Sequence, residues 1–404
     1  MQKNILHLDL DTFFVSCERL IDSRLQHRPL LVGGIGDRGV VAACSYETRI
    51  FGVHSGMSMK VARRLCPEAV VIKGNSGIYT KYSHLVTEII KEKVPLFEKA
   101  SVDEFYADLT GMDKFYGCYK YASELRQQII KESGLPISFG LSVNKIVSKV
   151  ATGEAKPNNQ LQIDSGFEKS FLAPLSIRKI PSVGEKTYQI LRNLGVDKIA
   201  IVQKMPVEMM VSALGANGRT IWNRANGIDN PPIIPFHERK SISTERTFTK
   251  DTIDVVQLRT TIFAMAESLA YQLRRGEKLG GTISVKIRYS DFNTYSKQMK
   301  IPYSSADHTI IPKVLELFDK LYQRRLLIRL VGVKVSDIVT GNYQINLFDD
   351  TEEMLNLYNA MDSIRGRYGE LSIMRATSMG AKTIGRFQNP FSGEPPVLLA
   401  HRKH

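Results

Sequence analysis

Ala100-Ser101-Val102-Asp103-Glu104-Phe105-Tyr106-Ala107-Asp108 sets two carboxylates side by side between strand-forming stretches. Neighbouring strand residues point to opposite faces. Asp103 and Glu104 can therefore share a site only where the pleat breaks, at the tip or a bulge of a hairpin between Leu96–Val102 and Phe105–Leu109. Upstream, Ile5-Leu6-His7-Leu8-Asp9-Leu10 reads as a strand with Leu6, Leu8 and Leu10 on one face, which projects Asp9 from the other at the strand's exit. Hard divalent cations prefer carboxylate oxygens, and Mg2+ takes only one or two from protein, leaving positions for substrate phosphates. The trio suits two such ions. Taken singly, each feature has a plainer reading: Asp9 capping a helix that begins near Thr12, and Asp-Glu as turn chemistry.

A chain of 404 residues exceeds what one core usually organises, so two to four domains are expected. The composition, 43% hydrophobic and 24% charged, excludes wholesale disorder, and no apolar run is long enough to span a bilayer. The N-terminus starts directly on a strand without a signal-peptide pattern, so a cytoplasmic location is expected. Cys17, Cys44, Cys66 and Cys118 are scattered and read as reduced packing residues. The net charge of +14 favours a polyanionic partner. Residues 238–340 hold 18 Lys or Arg against 11 Asp or Glu, so half of that surplus sits there. Residues 342–404 are balanced, 7 against 7, and should not be the main polyanion-binding surface.

Residues 1–165 read as an α/β domain with an insertion: a strand, a segment to about Lys73, and a helix carrying Ile78, Tyr82, Leu85, Val86, Ile89 and Ile90 on its apolar face. The carboxylate hairpin follows, then a helix over Gly117–Ser133 and a strand at Ile137–Ser142. That order predicts an α+β fold, an antiparallel sheet with helices on one face, of the ferredoxin-like kind. Residues 166–230 read as small helices with turns at Pro181-Ser182-Val183-Gly184 and Leu214-Gly215-Ala216-Asn217-Gly218. Beyond Lys240, Ile283, Val285, Ile287 and Tyr289 alternate with Ser284, Lys286 and Arg288, giving a buried face and a basic face. Only residues 388–404 look loosely structured.

Asp11-Thr12-Phe13-Phe14 follows the first carboxylate. Adjacent aromatics are usually core, yet a ring beneath a nucleotide sugar would clash with a 2'-hydroxyl, and Phe14 is the candidate. Tyr46 and Arg49 share a helical face and could present a hydroxyl and a guanidinium to one triphosphate; the plainer reading is an Arg stacked on a Tyr. Lys145 and Lys149 lie on one helix face, and Lys156, before Pro157, leaves that helix as a flexible point charge.

Four motifs now stand in order: Leu8-Asp9-Leu10-Asp11-Thr12-Phe13-Phe14, Ser45-Tyr46-Glu47-Thr48-Arg49-Ile50-Phe51-Gly52-Val53, Ser101-Val102-Asp103-Glu104-Phe105-Tyr106 and Ala155-Lys156-Pro157-Asn158. With them the chain resembles the Y-family DNA polymerases, close to the bacterial polymerase IV type, over residues 1 to about 340. The resemblance implies a multidomain right-hand polymerase: a ferredoxin-like palm (1–10 and 74–165), small fingers (11–73), a helical thumb with helix-hairpin-helix turns (166–232), an α/β little finger (240–341) and a C-terminal tail (342–404). It implies Asp9, Asp103 and Glu104 as the catalytic, metal-binding carboxylates, with Leu10 in the metal set for two Mg2+ ions, or Mn2+ in their place. Phe14 would be the sugar discriminator and, with Phe13, would belong to a nucleotide site completed by Tyr46, Arg49 and Lys156.

The activity so implied is translesion, low-fidelity DNA synthesis on primer-template DNA from deoxynucleoside triphosphates, by a monomer. Ser182 departs from the family pattern where the thumb hairpin usually has Gly, and Phe105 stands where a small residue is common. Gln344-Ile345-Asn346-Leu347-Phe348 is similar to peptides that dock on sliding clamps, with Gln344 at a pocket rim and Leu347 and Phe348 in an apolar groove. After it, Leu355, Tyr358, Met361, Asp362 and Arg365 share one face of a helix over Glu352–Tyr368. Two rival readings are a catalytically silent DNA-binding accessory subunit and a cyclase-like palm enzyme acting on free nucleotides. Intact carboxylates weigh against the first, and the basic region after 240 against the second.

Overall fold

The computed structural model describes residues 3–36, 38–112, 117–341, 352–370 and 372–381. It divides into two compact units, Met1–Phe236 and His237–His404.

The first unit begins with strand β1 (Ile5–Leu10) and helix α1 (Phe13–Ile21). An insertion follows, built from β2 (Leu30–Gly33), β3 (Val41–Cys44), α2 (Tyr46–Arg49), α3 (Met59–Leu65) and β4 (Val70–Ile72). It forms a sheet of order β3-β2-β4 over its own small core of Leu31, Val41, Val53, Met59 and Ala62. The chain continues through α4 (Ser76–Lys93), β5 (Phe97–Lys99), β6 (Glu104–Asp108), α5 (Cys118–Ser133), β7 (Ile137–Ser142), α6 (Lys145–Ala155) and β8 (Gln160–Gln162). These strands make a second sheet of order β5-β6-β1-β7-β8, in which β1 runs antiparallel to both β6 and β7.

Local chemistry explains the helix ends. Asn75 accepts the Ile78 N–H at the start of α4, and Asn144 accepts the Val147 N–H at 3.0 Å at the start of α6. Gly134, at φ 72°, supplies the left-handed residue that ends α5.

Leu6, Leu8 and Leu10 bury against Phe105, Phe139, Leu141 and the apolar faces of α4 and α5. In α4 that face is Tyr79, Val86, Ile89 and Ile90, with Ile78 and Tyr82 partly buried against the same core; of the expected stripe, Leu85 is exposed. The expectation of helices on one face of the sheet also needs correction. α6 packs on the opposite face, where Ser148 donates to the Ile5 carbonyl at 2.7 Å and Thr152 meets His7 Nδ1 at 2.8 Å. Gly140 permits this approach: a Cβ there would fall 2.2 Å from the Ser148 carbonyl oxygen and 2.6 Å from the Thr152 nitrogen.

Five short helices follow: α7 (Glu168–Leu172), α8 (Glu185–Asn193), α9 (Ile199–Lys204), α10 (Val207–Leu214) and α11 (Ala216–Ala225). Their core joins Leu172, Leu191, Ile199, Met210 and Ile221 to Val147 and Val150 of α6. In the hairpin before α8, Ser182 takes φ 78°, a conformation that suits Gly. Arg224 holds it there, donating to the Ser182 hydroxyl at 2.9 Å and to the Pro181 carbonyl at 2.7 Å.

The second unit has strands β9 (Ser241–Thr252), β10 (Lys278–Tyr289), β11 (Thr294–Ser304) and β12 (Ile328–Thr340), with helices α12 (Val255–Arg275) and α13 (Asp307–Leu321). The sheet, of order β11-β10-β12-β9, is antiparallel throughout. Ile283, Val285, Ile287 and Tyr289 bury against both helices as the alternation predicts. On the other face Lys286 pairs with Glu245, and Arg288 donates to the Thr294 hydroxyl at 2.8 Å.

Helix α14 (Glu352–Tyr368) is part of this unit, with Tyr358, Met361 and Arg365 buried. Arg365 pairs with Glu267 at 2.7 Å, and Arg274 binds Asp307 at 2.7 Å and Asp362 at 2.6 Å. The helical face expected there is the one that packs. The clamp-type peptide, with Gln344, Leu347 and Phe348, and the loosely structured stretch 388–404 lie outside the described residues.

Candidate active site

The register of the larger sheet sets Asp9 directly across from Glu104. Directly opposed residues of an antiparallel pair project to the same face with Cβ atoms about 5 Å apart, so these carboxylates share a surface although distant in the chain. Asp103 occupies the turn between β5 and β6, and its carbonyl accepts the Leu10 N–H at 3.0 Å. The pleat breaks where the dipeptide required. Ser101 shapes the turn, taking the Glu104 N–H at 3.0 Å and donating to the Asp103 carboxylate at 2.5 Å. The Leu10 side chain is buried in the core and holds no oxygen, which leaves its backbone carbonyl as the group it could offer an ion.

α6 lays cations along the same face. Lys145 pairs with Glu98 at 2.5 Å, Lys149 spans both Glu104 oxygens at 2.6 and 2.7 Å, and Lys156, just past the helix end, pairs with Asp9. Burial pushes the Asp9 carboxyl up to about 7, Lys156 pulls against it, and the charges of Glu104 and Asp103 add to the rise. Asp9 therefore feels both of the other acids. Among the described residues no three acidic, His or Cys side chains stand as a ready-made ion cage, and each carboxylate here carries an internal partner. The donor set, carboxylates plus one carbonyl, is all oxygen and suits a hard cation rather than a soft one.

Phe13 and Phe14 separate cleanly. Phe13 is 3% exposed and belongs to the core, so its ring cannot line a nucleotide site. Phe14 is half-buried and stacks on Tyr79, with centroids 4.2 Å apart and planes at 17°. Tyr79 is itself fixed by donating to Glu18 at 2.5 Å. On α2 the Arg49 guanidinium lies over the Tyr46 ring at 4.9 Å, the stacked arrangement that was the plainer reading. The Tyr46 hydroxyl is buried without a partner, and burial, then the charge of Asp11, pushes it up to about 12. Lys156, expected to reach for a triphosphate, rests on Asp9.

Sequence reasoning missed Tyr79 and Asp11. Asp11 is 1% exposed and accepts from the Ser138 hydroxyl and the Asn158 N–H. Its position two residues beyond Asp9 was the one available signal.

The comparisons with known proteins match this layout. The impB/mucB/samB family model matches residues 8–153, and the model of that family's C-terminal domain matches residues 239–347. A protein named DNA polymerase IV from Dehalococcoides mccartyi (strain CBDB1) is 37% identical over 386 residues, covering 95% of this chain and 99% of the relative. The chain belongs to the Y-family DNA polymerases, of the polymerase IV type. DNA polymerase IV of Desulfatibacillum aliphaticivorans is 33% identical over 372 residues, covering 90% of this chain and 94% of its own length. DNA polymerase IV of Streptococcus gordonii is 34% identical over 340 residues, covering 83% and 96%. The solved structure of a Y-family DNA polymerase chimera superposes with a TM-score of 0.73 at 23% identity, over 84% of this chain and all of that one. The fold is thus the palm, fingers, thumb and little finger of that family, and the enzyme is a DNA-directed DNA polymerase. The silent accessory subunit is set aside. Among the described residues no helix is long and apolar enough to cross a membrane.

Proposed function

We propose that this polymerase performs translesion synthesis during DNA damage tolerance, adding deoxynucleotides to a primer 3'-hydroxyl at the site of Asp9, Asp103 and Glu104. The observation that carries the reading is the cross-strand pairing of Asp9 with Glu104, with Asp103 turned in beside Leu10. Asp9, Asp103, Glu104 and the Leu10 carbonyl would hold two Mg2+ ions, or Mn2+, which when bound supply Lewis-acid activation of the hydroxyl and offset charge on the phosphates. Arg49 and Lys156 bind the β and γ phosphates of the incoming triphosphate, with the Tyr46 hydroxyl as a further donor. Phe14, braced by Tyr79, excludes the 2'-hydroxyl.

The palm is residues 1–10 and 74–165, the fingers 11–73, the thumb 166–232 and the little finger 240–341. Fingers this small leave the new base pair loosely enclosed, which admits damaged templates and raises errors. The thumb and the basic face around Lys286 and Arg288 grip phosphates without reading sequence, so DNA binding weakens steeply with salt. Gln344, Leu347 and Phe348 dock on a sliding clamp.

The test is the double variant Asp103→Ala, Glu104→Ala in single-nucleotide primer extension with Mg2+, checked for retained folding by circular dichroism. Extension should be lost while binding to primer-template DNA persists. Incorporation by a folded double variant at the wild-type rate refutes the site.

A further inference from the structure

The carboxylate of Asp11 lies outside the three proposed metal-binding acids, and it is the most deeply buried of the acidic groups gathered there, 1% exposed. A buried carboxylate is costly unless donors and a counter-charge surround it. Asp11 has both. Its Oδ2 accepts the Ser138 hydroxyl at 2.8 Å and the Asn158 N–H at 2.6 Å, and its Oδ1 stands 3.7 Å from the Lys156 ammonium.

These contacts tie together segments remote in the chain. Asp11 follows β1 and donates its own N–H to the Pro136 carbonyl at 2.9 Å; Ser138 is in β7; Asn158 belongs to the turn by which the chain leaves α6. That turn includes a left-handed residue, Asn158 at φ 46°. Arg126 secures its other side, donating to the Asn158 carbonyl and side-chain oxygen, each at 2.6 Å, and to the Ile137 carbonyl at 2.8 Å. Lys156 is therefore no loosely hinged charge. Its backbone enters a turn anchored by Asp11, and its ammonium sits between Asp9 and Asp11.

We infer that Asp11 is a positioning residue for Lys156: a buried anion that anchors the 156–158 turn and aims the ammonium into the nucleotide end of the site. The inference rests on the proposed role of Lys156 in triphosphate binding. An uncharged residue of the same shape leaves the lysine less directed, so nucleotide capture should suffer while DNA binding does not.

A double-variant cycle tests it. Single-nucleotide incorporation at saturating primer-template is measured for the full chain and for Asp11→Asn, Lys156→Ala and the combination, reading kcat and KM for the deoxynucleotide separately. Asp11→Asn should lower kcat/KM by about tenfold in the native background, mainly through KM, and by less than about twofold beside Lys156→Ala. If the two losses multiply, or if Asp11→Asn alone changes kcat/KM by less than twofold, the inference is overturned and the role of Lys156 stands. If Lys156→Ala is itself without effect, the triphosphate reading of Lys156 falls first and this inference falls with it. Should Asp11→Asn fail to fold, Ser138→Ala removes one donor and keeps the charge. It should give a smaller loss that again vanishes beside Lys156→Ala; a loss persisting there refutes the inference.

Discussion

Lys149 on α6 holds both oxygens of Glu104 at 2.6 and 2.7 Å, so an internal ammonium occupies a carboxylate assigned to metal binding. Cation and ammonium compete for the same oxygens. Lys149→Met should therefore lower the Mg2+ concentration giving half-maximal extension by roughly threefold or more, the scale expected for removing one partly exposed charge. A Mg2+ titration of single-nucleotide incorporation reads this directly, and a rise in the midpoint would show instead that Lys149 orients Glu104 for binding.

Phe14 packs half-buried at the edge of the core and is stacked on Tyr79. Phe14→Ala should open the space beneath the sugar and reduce discrimination against ribonucleotides by at least about tenfold, with deoxynucleotide incorporation changing far less. The measurement is kcat/KM for matched ribo- and deoxynucleotides. Tyr79→Ala should give a weaker effect in the same direction, because it removes the brace and leaves the ring.

Ser182 keeps a left-handed backbone with its hydroxyl on Arg224. A non-glycine residue there costs about 1–2 kcal/mol, and the exposed hydrogen bond returns about 1 kcal/mol. Ser182→Gly relieves the first while losing the second, so its melting temperature should stay within about 3 °C of the parent. Ser182→Ala keeps the strained backbone and loses the bond, and should melt lower than Ser182→Gly by about 2–4 °C per kcal/mol. Equal melting points for the two would mean that the hairpin has relaxed out of this conformation.

Arg365 and Glu267 form a buried pair, 5% and 7% exposed, that fastens α14 to α12. Arg365→Ala takes away the nearer counter-charge of Glu267 and leaves Arg375 at 3.6 Å, so it should cost up to about 3 kcal/mol of local stability. Hydrogen exchange should then show faster amides over residues 352–368, while β10 stays protected. Unchanged exchange in α14 would assign the docking to Tyr358, Met361 and the Arg274–Asp362 pair.

Much of this was legible because strand periodicity is simple. The alternation Leu6, Leu8, Leu10 put Asp9 on the right face, β7 appears over the residues that its apolar run marked, and the Asp-Glu step forced a break in the pleat that the turn at Asp103 supplies. Partners were harder. That Lys145 and Lys149 share a face follows from helical spacing, but that they rest on Glu98 and Glu104 depends on α6 crossing the second face of the sheet. A Gly inside the strand Ile137–Ser142 was the available hint, since such a residue often marks close backbone approach. Tyr79 and Asp11 escaped because each acts through contacts with residues remote in sequence, which no local pattern encodes.

The missing side chain at Gly140 has a mechanical consequence. With helix backbone resting on strand backbone, a slide of α6 over β7 is sterically opposed, and α6 carries the lysines that pair with carboxylates of β1, β5 and β6. At the proposed site, a floor without give would offer every incoming nucleotide the same fixed charges, and any sorting of right from wrong bases would fall to the walls around it.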